Sequence, residues 1–309
     1  MQNSLEMTSQ LNERKRKMTL KITIDVFSGR ANPVLEFSGN EARKALERLR
    51  PVRRLKKGEK GLPPEPTLGY RGLVIEQSGE PAGGLPRVFR LAHGDLFGPR
   101  LAHRAADENF EDFICGNTKL LKEFKLRREF PSLLRKEIER FEEVRLKWPW
   151  RPCRWPRKSP CRCAPLYEPA WWNDGGQKQF NNNCYNYASN YRTDTFAQPG
   201  AASGAMYTSL TCTSVKPAAV ADSLVNSPTA NNKCPREGHL VALVIAPGWD
   251  FHWYRKGRNG YWTHKPGSTP VTNVDNNGVS ISDPRTANRG PYTDFCTFMV
   301  VMHGHIKIE

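Results

Sequence analysis

The sequence predicts an α+β protein with two domains, a basic N-terminal α+β domain and a C-terminal domain in which helices pack on an antiparallel sheet. Three observations lead to this fold class. The chain has 309 residues, more than one ordinary domain needs. Short stretches of alternating hydrophobicity, bounded by Gly, Pro and Asn, are typical of strands, and stretches with helical periodicity lie between them. The charge is uneven: residues 1–165 hold 35 basic and 21 acidic side chains, and residues 166–309 hold 12 and 10.

The N-terminal domain is predicted to span residues 18–147, after a basic, disordered arm at residues 1–17. Alternation typical of a strand begins at the start of this domain, and Pro51 ends the first helical stretch. The predicted elements are, in order, a strand pair (Thr19–Val26 and Val34–Phe37), a helix (Asn40–Leu49), two strands (Tyr70–Gln77 and Pro86–Ala92) and helical patterning from Asp107 to about Lys147.

The basic front half favours an acidic partner. The whole chain has a net charge of +16 at pH 7, and most of the excess lies in residues 1–165. An acidic polymer or an anionic surface is therefore a predicted partner. Nucleic acid is not, because no zinc-finger spacing, RNP aromatic pair or heptad-backed basic region is present. No transmembrane segment and no export signal are expected from the hydropathy, and the compartment stays open.

Residues 148–165 are predicted to be a linker, because they combine Pro, Arg, Trp and Cys without an acidic residue. The linker holds Cys153, Cys161 and Cys163. Their C-x7-C-x-C spacing fits no zinc signature, since structural zinc sites use closely spaced cysteine pairs. Neither a metal nor a cofactor is predicted for this chain.

Residues 166–309 are predicted to form the second domain. One strand, Leu240–Ile245, is apolar throughout, which is typical of a central strand that is buried on both faces. The dipeptide Asn259-Gly260 predicts a hairpin turn. The predicted strands are Leu240–Ile245, Phe251–Arg255, Tyr261–Lys265, Val279–Ser282 and Phe298–Met302.

Cys184 is the candidate nucleophile. It follows an Asn-rich sequence and precedes a segment, Tyr185–Tyr191, that can form a helix, so we expect it at a helix N-terminus. The N–H groups at such a terminus stabilise a thiolate and can bind an oxyanion, so a lowered pKa of the thiol is predicted. The alternatives are a disulfide half-cystine and an inert core thiol.

The cysteine count limits the pairing. The chain has 8 cysteines. If Cys184 is free, at least one other thiol is free too, and Cys115 is the natural choice because it is the lone cysteine of the front half. The remaining cysteines can form up to three disulfides, whose pairing the sequence leaves open.

Three histidines supply candidate bases. His252 and His264 lie on either side of the predicted turn, so we expect them on neighbouring antiparallel strands with both rings on one face, provided the register does not slip by one residue. His252 is predicted to act as the base and His264 to orient it. His239 opens the apolar strand and is the competing base. The alternative for the pair is a cross-strand contact without a catalytic role.

This order of residues resembles the papain-like superfamily, in particular the NlpC/P60-type cysteine peptidases. In those proteins a helix-capping cysteine is followed by an apolar strand, a strand that begins with histidine, and a hairpin to a strand with a third polar residue. The corresponding segments here look like Gly238–Ile245, Asp250–Arg255 and Gly260–Pro266. The resemblance implies a papain-like C-terminal domain.

The same resemblance implies site residues. Cys184 would be the nucleophile, His252 the base and His264 the orienting residue. The sequence Gly-His-Leu-Val-Ala around His239 is also similar to the histidine strand of the CHAP branch, which would make His239 the base instead. Papain-type sites use a glutamine before the cysteine as an oxyanion donor, and the resemblance offers Gln179 or Gln177, or the nearby Asn183, for that role.

A second resemblance covers more of the chain. Several motifs are similar to a family that includes insoluble shell-matrix proteins of molluscs and proteins of bacterial peptide-natural-product clusters. The resemblance implies a matrix role and no established activity. The motifs are Asp25–Pro33 (DVFSGRANP), Cys184–Ala188 (CYNYA), Asp250–Arg255 (DFHWYR) and His264–Gly267 (HKPG).

Two classes of function follow. The first is a thiol-dependent hydrolase or peptidase that cleaves a peptide or amide bond of a peptide or polymer substrate through a Cys-His-His site. The alternative is a non-catalytic matrix protein, or a peptide- or polyanion-binding protein, on the same fold. For this alternative we expect an aromatic surface that holds the ligand, made of Trp249, Trp253, Tyr254 and Trp262.

Overall fold

The chain forms two compact units, each with helices and an antiparallel sheet, so the predicted α+β class is confirmed. The first unit contains Met1–Asp25, Asn32–Glu65 and Tyr70–Glu142, and the second contains Val26–Ala31, Pro66–Gly69 and Glu143–Glu309. The predicted arm, most of the predicted linker and much of the predicted helical region from Asp107 to Lys147 lie outside the described residues. The computed structural model describes residues 18–55, 67–79, 84–98, 101–115, 117, 132–136, 138, 161–227 and 229–309.

The first unit is built on a seven-stranded sheet with the order β2-β1-β4-β5-β6-β7-β3, in which neighbours are antiparallel. The first two strands form as predicted, because TLKITI and VLEFS alternate between buried and more exposed side chains. The strands are β1 (Thr19–Ile24), β2 (Val34–Ser38), β3 (Pro51–Arg54), β4 (Leu73–Ser78), β5 (Val88–Ala92), β6 (Asp95–Gly98) and β7 (Leu101–Ala105).

The described helices of the first unit include α1 (Asn40–Arg48) and α2 (Phe110–Cys115), and residues 132–136 and 138 are also helical. Helix α1 buries Ala42, Ala45 and Leu46, whose spacing places them on one helix face. The helix ends before Pro51, as predicted. The same proline opens strand β3, which the sequence did not predict. A proline is tolerated there because β3 is an edge strand and Pro51 is its first residue.

A buried ion-pair cluster lies just after β1. Asp25 and Arg71 are 1% and 0% exposed. Arg71 donates from Nη2 to Asp25 Oδ1 at 2.7 Å, and Arg90 donates from Nη1 to Oδ2 at 2.9 Å. Burial by itself raises the pKa of a carboxyl, but the two guanidinium groups outweigh it and hold the pKa of Asp25 at about 2. One carboxylate therefore neutralises two arginines inside the first unit.

The second unit is built on a five-stranded sheet with the order β11-β10-β9-β12-β8. The central strand is β9, and every one of its side chains is buried, as its apolar sequence predicted. The predicted hairpin between β10 and β11 is also present. The strands are β8 (Val225–Asn226), β9 (His239–Ala246), β10 (Asp250–Lys256), β11 (Trp262–His264) and β12 (Asp294–Val301).

Two helices cover one face of this sheet. The hydrophobic core joins Cys184, Tyr185 and Ala188 of one helix, and Val215 and Ala219 of the other, to side chains of the sheet. These partners are residues of β9, β10 and β12 that point to the same face: Val241, Leu243, Ile245, Phe251, Trp253, Met299 and Val301. The described helices of the second unit are α3 (Pro169–Trp172), α4 (Gln177–Asn181), α5 (Cys184–Ser189) and α6 (Cys212–Ala221).

Two disulfides cross-link the second unit. They constrain the unfolded chain over long loops and so stabilise the fold. Cys184 and Cys115 are free thiols, in agreement with the cysteine count. Cys163 has no disulfide partner among the described residues, which do not include Cys153. The bridges are Cys161–Cys234 and Cys212–Cys296, with sequence separations of 73 and 84 residues.

Candidate functional site

Cys184 is the first residue of α5, as the sequence predicted. The preceding residue, Asn183, is the N-cap: its Oδ1 accepts hydrogen bonds from the N–H groups of Tyr185 at 2.9 Å and Asn186 at 3.1 Å. The Asn186 side chain in turn accepts from the Asn183 N–H at 3.1 Å, which completes a capping box. The Asn-rich sequence therefore starts the helix and fixes the backbone of the cysteine.

The Cys184 thiol is fully buried, at 0% exposure. It packs in the core with Phe251 and Trp253, and its Sγ lies 3.9 Å from the Phe251 carbonyl oxygen. Burial raises the pKa of the thiol well above its ordinary value, and the charge of Asp250 raises it further. The predicted lowered pKa is wrong, because desolvation outweighs the stabilisation that the N-terminus of a six-residue helix can supply.

The predicted oxyanion donors already have hydrogen-bond partners. They are the backbone N–H of Cys184, the side-chain amide of Asn183 and the side-chain amide of Gln179. Two of the three donate to carbonyl groups of Val26–Ala31, a segment that lies between β1 and β2 in the sequence. The acceptors are, in the same order, Ser28 O at 3.4 Å, Gly29 O at 2.8 Å and Ser268 O at 3.4 Å.

His252 and His264 meet on one face of the sheet. Strands β10 and β11 pair Tyr254 with His264, so the register differs by two residues from a direct pairing of the histidines. An even shift keeps both rings on the same face, which confirms the predicted geometry. His252 Nε2 lies 2.9 Å from His264 Nδ1, and the ring planes are 84° apart.

The contacts of the pair determine its tautomers. His264 Nε2 lies 3.0 Å from the Val274 carbonyl oxygen, which can only accept, so this nitrogen carries a proton. Burial lowers the pKa of His264 to about 4, so the ring is neutral at pH 7 and its Nδ1 accepts. His252 Nε2 must then donate to it. If His252 is also neutral, its lone pair is on Nδ1.

The strand alternation separates the histidine face from the cysteine face. Phe251 and Trp253 pack with Cys184 on the helix-covered face of the sheet. His252 lies between them on β10, so its ring points to the other face, where it contacts His264. The catalytic coupling of Cys184 to His252 stays a prediction.

His239 is buried at the start of β9. Its Nε2 donates to the carbonyl oxygen of Ala188 at 2.7 Å, in the last turn of α5, whereas Cys184 lies in the first turn. Burial lowers the pKa of His239 to about 3, which keeps the ring neutral. This histidine links the strand to the end of the helix, and its role as the alternative base stays a prediction.

Asp250, at the start of β10, is the polar centre of this region, and the sequence did not single it out. Its carboxylate is 1% exposed and accepts from the backbone N–H groups of Ser28 at 2.6 Å, Gly29 at 3.2 Å and Arg30 at 3.2 Å. The hydroxyl of Tyr292 donates to the same carboxylate at 2.6 Å. Burial raises the pKa of Asp250, while these donors work against the rise.

Sequence identity to a named protein shows the family of this chain. Insoluble matrix shell protein 1 of Ruditapes philippinarum is 46% identical to this chain over 142 residues, which is 91% of that protein and 45% of this chain. The chain belongs to the insoluble matrix shell protein family. The resemblance to shell-matrix proteins is therefore confirmed, and the papain-like identity has no such support. No family model and no solved structure matches the chain.

The aromatic surface expected for this matrix-family chain is not a surface. Trp253, Tyr254 and Trp262 are 0% exposed and Trp249 is 7% exposed, because they fill the two faces of the sheet. Trp171 is 56% exposed instead. Trp171 lies on helix α3 and not on the strands of the second unit.

Two cationic side chains lie beside the Trp171 ring. Arg192 Cζ lies 4.0 Å from the centre of the indole ring, and Lys178 Nζ lies 5.9 Å from it. Arg192 also donates to the Trp171 carbonyl oxygen at 3.1 Å, which holds the side chain in place. We call Trp171, Lys178 and Arg192 the aromatic–cation cluster. Such a pairing of exposed Trp and Arg is typical of binding surfaces.

No group of three or more His, Cys, Asp or Glu side chains within the described ranges is arranged to hold a metal ion. No helix in the part of the chain that the structure describes is long and apolar enough to cross a membrane.

The matrix-family motifs contained the signal that would have found Asp250. The motif DVFSGRANP supplies the segment whose N–H groups bind its carboxylate, and the motif DFHWYR begins with Asp250 itself. No sequence pattern pairs the two motifs, because they are separated by more than two hundred residues. Gln198 and Tyr292, which also line this region, carried no sequence signal.

Proposed function

We propose that this chain is a non-catalytic matrix-type protein whose second unit binds a polymer or peptide. The observation that carries the proposal is the environment of Cys184: its thiol is fully buried with a raised pKa, and its backbone N–H already donates to Ser28 O. A nucleophilic cysteine needs a thiolate and access to substrate. Cys184 has neither in this conformation, so it serves as a core residue.

The relative supports the same function. The relative is named as an insoluble shell-matrix protein, and it is 46% identical to this chain over 91% of its own length. A component of an insoluble matrix must hold its shape and contact other macromolecules. The two disulfides of the second unit and the exposed aromatic–cation cluster fit these two requirements.

Alkylation of the native chain tests the non-catalytic proposal. We expect Cys184 to react with iodoacetamide at least about 100-fold more slowly than the exposed Cys163 between pH 7 and 9, because burial and a high pKa suppress the thiolate. Mass spectrometry of tryptic peptides measures each rate. The buried Cys115, whose pKa burial raises to about 12, is the matched control for a core thiol. A Cys184 that reacts faster than Cys163 contradicts the proposal.

The aromatic–cation cluster is the proposed contact with the polymer. Its indole ring is exposed, and its two cations lie 4.0 and 5.9 Å from the ring centre, where they offer donors beside it. An apolar ring flanked by donors suits the flat faces and hydroxyl groups of a polysaccharide. We therefore place polysaccharide binding at helix α3.

Co-sedimentation with powdered cellulose and chitin tests this surface. We expect Trp171→Ala to weaken binding about tenfold, the size of effect that removal of one central aromatic contact causes. Phe113→Ala is the matched control, because Phe113 is an exposed aromatic residue of the first unit that also stacks on an arginine. Equal losses for both variants, or no binding of the unmodified chain to either polymer, would refute the assignment.

A second candidate function is the thiol-dependent hydrolase with Cys184, His252 and His264. The observation that favours it is the hydrogen bond between the histidines, which makes His264 orient His252 and, in a neutral pair, leaves the His252 lone pair on Nδ1. A base needs such a lone pair. The alkylation experiment separates the candidates: a reactive Cys184 whose reactivity is lost in His252→Ala but kept in His239→Ala supports the hydrolase.

The binding of acidic polymers or anionic surfaces by residues 1–165 remains a proposal of its own. It rests on the uneven charge, with 35 basic and 21 acidic side chains in that part of the chain. Binding of this kind weakens steeply as salt is raised, whereas stacking on Trp171 does not.

A further inference from the structure

The segment Val26–Ala31 is held in the second unit mainly through its backbone. Its N–H groups at Ser28, Gly29 and Arg30 all donate to the buried carboxylate of Asp250, at 2.6 to 3.2 Å. Three consecutive backbone donors to one carboxylate fix the register of a peptide without any contact to its side chains. The carboxylate is itself held by the Tyr292 hydroxyl at 2.6 Å, so the acceptor is already positioned.

The carbonyl groups of the same segment are bound from the other side. Gly29 O accepts from the side-chain amides of Asn183 at 2.8 Å and Gln198 at 2.7 Å. Ser28 O accepts from the backbone N–H of Cys184 at 3.4 Å. Protein groups thus satisfy the donors and the acceptors of this stretch of peptide, and Asn183 combines this task with the capping of α5.

Three features select particular side chains. A Cβ at Gly29 would overlap the ring of Phe251, so only glycine fits at this place. The Phe27 ring packs edge-on against Trp249, with ring centres 6.2 Å apart. Arg30 stacks over the Phe27 ring at 4.8 Å and donates to the Trp249 carbonyl oxygen at 2.8 Å. Ser28, by contrast, bonds to Asp250 and Cys184 through its backbone N–H and C=O groups.

We propose that this groove, lined by Asn183, Gln198, Trp249, Asp250, Phe251 and Tyr292, is a binding site for an extended peptide of the pattern aromatic-X-Gly-Arg, and that Val26–Ala31 occupies it in cis. The ligand class is a peptide in which an aromatic residue, a residue of any type, a glycine and an arginine follow one another. This inference deepens the proposed function and rests on it in one respect, that the groove binds the peptide rather than cleaving it.

The in-cis occupant blocks a free peptide, because a tethered segment competes at a high effective concentration. A variant that expels the segment should therefore gain affinity for a peptide in trans. Gly29→Ala is the first choice, since its methyl group meets the Phe251 ring. Ser28→Ala is the matched control: it also places an alanine in the segment, one position earlier, but adds no atom beyond the Cβ that serine already has and keeps the backbone contacts.

The probe is a fluorescein-labelled, C-terminally amidated peptide with the sequence of Val26–Ala31, titrated into the full-length chain and followed by anisotropy. We expect Gly29→Ala to bind it at least about tenfold more tightly than the unmodified chain and Ser28→Ala do. The same peptide with alanine in place of its glycine should not bind. Mass spectrometry of the peptide after incubation reports whether it is cleaved.

Each outcome decides one point. Tight binding of the intact peptide supports the groove, and binding followed by cleavage supports the groove but contradicts the non-catalytic function. A folded Gly29→Ala chain that binds no better than the unmodified one refutes the groove and leaves the proposed function intact. The variant Phe27→Ala/Arg30→Ala weakens the occupant without a clash and should bind the peptide too. If both variants lose cooperative unfolding, the segment is inseparable from the core and the inference is wrong.

Discussion

Asp250→Ala is expected to lower the free energy of unfolding of the second unit by about 3 to 5 kcal/mol. The carboxylate is the common acceptor for the N–H groups of Ser28, Gly29 and Arg30 and for the Tyr292 hydroxyl. Its removal takes away the acceptor that these buried donors share, and an unsatisfied buried donor costs about 1 to 3 kcal/mol.

Urea unfolding followed by tryptophan fluorescence measures this loss in the right unit, because every tryptophan of the chain lies at or after position 148. Tyr292→Phe is the graded control: it removes one donor and leaves the carboxylate, so about 1 kcal/mol is expected. Asp250→Asn, which keeps one acceptor oxygen, should fall between the two. An Asp250→Ala chain that loses less than Tyr292→Phe would contradict the central role of this carboxylate.

Asp25→Ala is expected to destabilise the first unit by a similar amount, about 3 to 5 kcal/mol. Arg71 is 0% exposed and donates to Asp25 at 2.7 Å, and Arg90 donates to it at 2.9 Å. Without the carboxylate, the buried Arg71 guanidinium loses this ion pair and its two hydrogen bonds to Asp25. Hydrogen exchange of β1 and β4 peptides, read by mass spectrometry, reports on this unit, and exchange of β9 peptides should not change.

The pH dependence provides the control for Asp25. Its pKa is about 2 in the folded chain and close to 3.8 in the unfolded chain, so the unfolded state takes up the proton first as the pH falls. The carboxylate therefore contributes about 2 kcal/mol above pH 4, and this contribution is lost between pH 4 and 2. Asp25→Asn should remove that part of the acid sensitivity. If the variant and the unmodified chain lose protection of β1 in parallel over this range, the assigned pKa is wrong.

Much of the local structure followed from the sequence because it depends on neighbouring residues. Alternation predicted β1 and β2, an uninterrupted apolar stretch predicted the buried central strand β9, and the Asn-rich sequence placed Cys184 at the start of a helix. The Asn-Gly turn fixed the hairpin well enough to bring His252 and His264 to one face. The strand β3 was missed because a proline there reads as the end of a helix.

The properties of the site did not follow, because they depend on contacts between distant parts of the chain. A helix N-terminus predicts a lowered pKa for Cys184, but the core that buries the thiol reverses the direction. Aromatic residues on β10 and β11 predict a binding surface, but the covered sheet hides them. The solvent exposure of a side chain depends on the packing of the whole unit, so no local sequence pattern predicts it.

By itself, the sequence determined the α+β class, the main strands, the capped helix at Cys184 and the motifs shared with shell-matrix proteins. Only the tertiary structure decided that Val26–Ala31 belongs to the second unit and that Asp250 holds it. The physical reason is that the segment is bound through backbone N–H and C=O groups, which every residue except proline possesses and which no sequence pattern marks. The requirement for glycine at position 29 becomes visible only when the Phe251 ring is packed against it.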